Sequence, residues 1–137
     1  MKDAAQGVAV RICPDVRDNE LHALFKAAWK GHQPTEFGPV LERSLAYVCA
    51  FQGDELVGFV NLAWDGGTHA FLLDTTVHPK WRRLGIGARL VREAVGVAQS
   101  AGIVWVHVDF EAALRPFYTA CGFAATEAGL LRLESER

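Results

Sequence analysis

The chain has 137 residues, half of them hydrophobic and 22% charged, with a formal net charge of −2. That length supports one core-bearing domain, and the near-neutral balance excludes a global pull toward nucleic acid or an anionic membrane. No apolar run is long enough to span a bilayer, MKDAAQGVAV lacks a signal-peptide core, and Cys13, Cys49 and Cys121 form neither a disulfide framework nor a zinc pattern. The expectation is one metal-free domain over residues 1–137, in a reducing cytoplasm.

Val8 to Asp15 alternates and then meets proline, which predicts a first strand. Leu21, Leu24, Phe25 and Ala28 recur at helical spacing and predict a helix from about Arg17 to Trp29. KGHQPTEFG reads as a loop, and Pro39 opens a short second helix over PVLERSL. The apolar runs Ala46 to Phe51 and Leu56 to Trp64 flank Gly53-Asp54, a hairpin signal. Thr68 to Pro79 supplies a third strand of this meander. Ile86, Leu90, Ala94, Val97 and Ala101 then mark a long helix ended by Gly102. Ile103 to Phe110 suits a buried strand, so strand, helix, strand gives a parallel crossover and a mixed sheet. EAALRPFYTACG predicts a short helix, and FAATEAGLLRLE a closing hairpin.

The stretch HPKWRRLGIGARL carries the clearest chemistry. No Asp, Glu, Ser or Thr lies between Lys80 and Arg92, although a helix starts there. A helix N-terminus presents free N–H groups and partial positive charge, which acidic or hydroxyl side chains normally satisfy. Gly85 and Gly87 let the backbone turn and let a ligand approach without meeting a Cβ. A bound phosphate would meet both needs, with Arg82 and Arg83 assisting. The plainer reading is a hydrated helix start with splayed arginines. A dinucleotide fingerprint would need Gly where Leu90 stands, and the P-loop pattern is absent.

The remaining pattern, R-x-x-G-x-G between VHP and a long helix, resembles the pyrophosphate-binding motif of the GCN5-related N-acetyltransferases (GNAT). LLDTTVHPKWRRLGIGARLVREAV is similar to that family's cofactor-binding core, and RPFYTACGF to its second signature. The resemblance covers nearly the whole chain. It implies an α/β (α+β) GNAT fold, with a central mixed, twisted sheet of about six to seven strands flanked by about four helices. It also implies an N-acetyltransferase that takes acetyl-coenzyme A as donor. On this resemblance the amides of Arg83, Gly85, Ile86, Gly87 and Ala88 hold the pyrophosphate, with Arg82 at the first motif position. The strand around Thr75 to Val77 binds the pantetheine arm, and the Val77 N–H polarises the acetyl carbonyl. Tyr118 matches the tyrosine that faces the coenzyme sulfur. A phenol has a pKa of about 10 and can return a proton to a departing thiolate; the alternative is a core aromatic.

Two departures stand out. Glu111 occupies the position where many members carry Asn, and Leu73 the position of a Glu general base. A primary amine with a pKa near 10.4 costs roughly 4 to 5 kcal/mol to neutralise at pH 7, so a base should assist. Asp74 is the neighbouring candidate, but alternation turns it to the other face unless a bulge intervenes. Asp109 is a further candidate, and His107 reads as a satisfied core histidine. Trp29, His32, Glu36 and Phe37 border the acceptor side, where a solvated loop is an equal reading. Cys121 reads as a small buried hydrophobe, and direct attack in a ternary complex is favoured over an acetyl-cysteine. The expected acceptor is a small-molecule amine, followed by a peptide or protein amine. A non-catalytic acyl-coenzyme A sensor is the competing class. The resemblance also suggests a homodimer, through a last strand in LLRLESER.

Overall fold

A computed structural model describes residues 7–134. The last strand read in LLRLESER lies partly outside these residues. In chain order the elements are β1 (Val8–Ile12), α1 (Asp18–Ala28), α2 (Gly38–Arg43), β2 (Ala46–Gln52), β3 (Glu55–Trp64), β4 (His69–Val77), α3 (Ile86–Ser100), β5 (Trp105–His107) and α4 (Arg115–Ala120). Single 3₁₀ turns, Pro79–Trp81 and Ala112–Leu114, precede α3 and α4. The strands lie in sequence order, antiparallel from β1 to β4 and parallel between β4 and β5.

The sheet separates two apolar layers. On one face Val48, Ala50, Val60, Leu62, Ala70 and Leu72 meet Ile86, Leu90, Val91, Ala94 and Ala98 of α3. The buried stripe of α3 follows the predicted one through Ala94, then takes Ala98 in place of Val97 and Ala101. On the other face Leu21, Leu24 and Phe25 of α1 join Phe37, Cys49, Phe51 and Phe59. Each fully buried side chain of this kind contributes about 1.5–3 kcal/mol.

Four helices and a mixed sheet agree with expectation. The strand count does not: five strands form among the described residues, not six to seven. Residues 123–134 make no strand; in AATEAG only Thr126 is of a type that favours a ladder. The segment Ile103 to Phe110 pairs over three residues only, and Val104 and Trp105 are exposed rather than buried.

Candidate active site

The glycine loop is built as its sequence demands. Arg83 and Gly85 have φ of 64° and 80°, so the chain makes two left-handed steps before α3 begins at Ile86. Gly85 is the N-cap and supplies no side-chain cap, and the first turn holds no acidic residue. The Arg89 N–H donates to the Gly85 carbonyl at 3.1 Å, so the amides of Ile86, Gly87 and Ala88 lie ahead of the first helical bond. A Cβ at Gly87 would stand 3.3 Å from the Phe117 ring and 3.7 Å from Val77. The first turn of α3, the end of β4 and α4 therefore converge on this glycine. Arg82, though exposed, folds back onto the domain: its Nε donates to the Val77 carbonyl at 3.3 Å and its guanidinium reaches the Ala28 carbonyl at 3.4 Å. It ties β4 to the carbonyl end of α1, a favourable place for a cation. Arg83 stays exposed on the loop.

Beside this loop the sheet opens. The β4–β5 ladder stops at Phe71↔His107, so from Leu72 onward β4 has no neighbouring strand on that side among the described residues. Val77 is opposite Gly58, and the His78 N–H donates to the Val57 carbonyl at 2.8 Å. In an antiparallel ladder this pairing turns the Val77 N–H away from β3, toward the open edge.

Tyr118 is 5% exposed, with its ring stacked on Phe110 and edge-on to Phe117 and Phe123. Its hydroxyl has no hydrogen-bond partner among the described residues. The core-aromatic reading accounts for the ring but leaves this polar atom unused.

On the α1 side, β4 carries a bulge. Asn61 pairs with Leu73 and Phe59 with Thr76, so one extra residue lies between Leu73 and Thr76. Asp74 sits there with φ 58°. Although Asp74 as a residue is exposed, burial of its carboxyl raises its pKa above the usual carboxylate value. The Thr76 hydroxyl donates to the Asp74 carbonyl at 2.8 Å and accepts the Trp29 indole N–H at 2.9 Å. Trp29, half exposed at the end of α1, is thereby pinned beside the bulge. Thr75 is the other bulge residue and is partly exposed.

The remaining candidates disperse. His32 does not reach the bulge in any hydrogen bond. It meets His22 at 3.1 Å and stacks on Phe37, in a cluster with Phe25. The side chains of Glu36, Asp109 and Glu111 are on exposed residues and make no hydrogen bond or ion pair among the described residues. His107 is not a core residue: it is exposed, stacked on Phe71 and 2.7 Å from His69. His78 caps the turn before Arg82 by accepting the Lys80 N–H. Burial raises the Cys121 thiol pKa and pushes that of Cys49 up to about 12, so both are held as thiols. Among the described residues no group of three or more His, Cys, Asp or Glu is arranged to hold a metal ion. Two features were missed in the sequence. His22 gives no local signal. Asn61, a buried amide accepting from Ser44 at 2.5 Å, was visible as the one polar residue in LVGFVNLAW.

A mixed sheet thus opens beside an uncapped, glycine-entered helix in one α/β domain. The chain belongs to the acetyltransferase (GNAT) family, whose model matches residues 17–123. It is 30% identical over 99 residues to mycothiol acetyltransferase of Mycolicibacterium smegmatis, covering 69% of this chain and 34% of that protein. It is 32% identical over 107 residues to the tRNA(Met) cytidine acetyltransferase TmcA of Citrobacter koseri, covering 78% of this chain and 14% of that one. The chain thus spans only part of the length of each curated relative. A GNAT-family acetyltransferase structure from Streptococcus pneumoniae TIGR4 superposes with a TM-score of 0.74 at 26% identity, covering 93% of this chain and 99% of that one. AAC(6')-Iy, solved with the bisubstrate analogue CoA-S-monomethyl-acetylneamine, shares the fold with a TM-score of 0.74 at 19% identity, covering 93% and 98%.

Proposed function

We propose that this domain is an acetyl-coenzyme A-dependent N-acetyltransferase that acylates a primary amine of a small molecule by direct attack in a ternary complex. The observation that carries this reading is the convergence at Gly87: uncapped amides of α3, the free edge of β4 and the α4 helix bearing Tyr118 meet there. These residues fit the donor. The amides of Ile86, Gly87 and Ala88, with Gly85 and Arg83 before them, would hold the pyrophosphate. The edge from Thr75 to Val77 would pair with the amide-bearing pantetheine arm. When bound, acetyl-coenzyme A supplies the activated acyl group.

The chain's own groups supply the rest. The Val77 N–H donates to the acetyl carbonyl oxygen as negative charge grows on it. The Tyr118 hydroxyl gives its proton to the sulfur as the C–S bond breaks. Asp74 removes a proton from the ammonium, directly or through water, and Trp29 walls the acceptor side. A thiol-held Cys121 argues against an acyl-cysteine. The likeness to mycothiol acetyltransferase supports a small-molecule acceptor. The acetyltransferase named for tRNA cytidine keeps a nucleobase amine in the test panel.

The test is thiol release from acetyl-coenzyme A across small amines, peptide amines and cytidine-bearing RNA. Turnover is expected with a small amine. Tyr118→Phe should lower kcat by about 100-fold, the scale of one general acid, with donor binding kept. Donor binding without turnover on any acceptor would establish the sensor instead.

A further inference from the structure

Two pairs of histidines meet in this fold, and they differ in what their inner nitrogens can offer. In the first, His22 Nδ1 lies 3.1 Å from His32 Nε2. The Thr35 N–H donates to His22 Nε2 at 3.4 Å, so that nitrogen carries the lone pair and the His22 proton sits on Nδ1, between the two rings. This pair is committed to a hydrogen bond from His22 to His32. In the second, His69 Nδ1 lies 2.7 Å from His107 Nε2. Here the outer nitrogens, His69 Nε2 and His107 Nδ1, make no hydrogen bond among the described residues. Each can carry its own ring's proton toward water, which leaves two lone pairs facing each other. That arrangement is repulsive unless a proton or a cation lies between the rings.

The second pair is also held in place. His69 opens β4 and His107 closes β5, on strands registered by His69↔Trp105 and Phe71↔His107. The His107 ring stacks on Phe71, with centroids 4.7 Å apart. Water reaches both rings, since His107 is exposed and His69 partly so. Asp65 adds negative charge beside them. Its carboxylate accepts the Gly67 and His69 N–H groups, and these bonds lower its pKa below the usual carboxylate value.

We propose that His69 Nδ1 and His107 Nε2 bind one late first-row divalent cation, such as zinc, with water completing its coordination. Imidazole nitrogen suits zinc, copper and nickel, whereas magnesium and calcium take oxygen ligands. Zn–N bonds of about 2.0–2.1 Å at a tetrahedral angle set the two nitrogens about 3.3 Å apart, so the rings part by roughly 0.6 Å. A small turn of the exposed His107 supplies that. Phe71↔His107 is the last rung before β4 loses its neighbour. The ion therefore staples β4 to β5 at the root of the cleft. The site lies apart from the glycine loop and does not depend on which acyl acceptor the domain uses.

Zinc sulfate titrated calorimetrically into the tag-free full chain should bind at one ion per protomer, and saturating zinc should raise the melting temperature. His69→Ala and His107→Ala should each weaken binding at least about 10-fold and abolish the thermal shift, while His22→Ala keeps both. Magnesium should not bind. In the wild type, zinc should shift the ring-nitrogen resonances of His69 and His107 and leave those of His22, His32 and His78 in place, a readout that needs no variant. Failure of zinc to bind the wild type would overturn the proposal. So would binding undiminished in both alanine variants at this pair, or resonance shifts confined to other histidines.

Discussion

Asp74 is where the chemistry and the stability of this domain pull apart. Burial raises its pKa, so the folded state favours the neutral carboxyl. The stabilisation linked to that preference is complete below the unfolded value of about 3.9 and is lost as pH rises through the folded value. At neutral pH the ionised carboxylate is therefore a burden to the fold, and a retained one suits a base. Asp74→Asn keeps the side-chain shape and tolerates the positive φ. It should raise the melting temperature at pH 7, leave it nearly unchanged near pH 3, and slow amine acetylation. In the wild type the acid limb of kcat/KM should lie above the ordinary carboxylate range. Undiminished activity in Asp74→Asn would remove it as the base. The sequence named this residue but could not orient it, because strand alternation alone sends it away from the α1 side.

The bulge in β4 breaks that alternation at the scale of the element and turns Thr76 toward α1. Its position is set by how β4 registers against β3, Leu73 on Asn61 and Thr76 on Phe59, which no local pattern in LLDTTV reveals. The same bulge brings Thr76 within reach of Trp29, 47 residues earlier in the chain. Trp29→Phe deletes the indole donor and keeps the ring bulk. Losing one such bond costs about 1 kcal/mol, roughly fivefold, and should appear as a higher KM for the amine with donor affinity unchanged. An equal rise in the donor's Kd would place Trp29 outside the acceptor wall. The long periodic helices α1 and α3 were legible because their apolar faces repeat over several turns. The closing hairpin expected over FAATEAGLLRLE does not form, since residues 123–134 make no strand. His32 was read as a site residue from its loop position, while its contacts are decided by His22, Phe25 and Phe37 across that loop.

At the scale of the whole molecule, the donor half of the site is encoded contiguously and the acceptor half is not. Arg82 to Ala88 lie on one turn, so their roles follow from a helix start that lacks acceptors of its own. The proposed acceptor side draws on the end of α1 and the β4 bulge, which meet through Trp29 and Thr76, 47 residues apart in the chain. This division explains why a resemblance whose specific motifs run from about Leu72 to Phe123 points to the family and leaves the amine open. The account therefore stands most directly on donor binding at Gly87. Calorimetric titration of acetyl-coenzyme A into the wild type and into Gly87→Val tests it, with melting curves for both. The wild type should bind one donor per protomer. The variant should bind at least about 100-fold more weakly, a loss near 2.7 kcal/mol, while still unfolding cooperatively, at a melting temperature lowered by the tight contact with Phe117. Equal donor affinity in the two proteins, or no binding to the wild type, would contradict it.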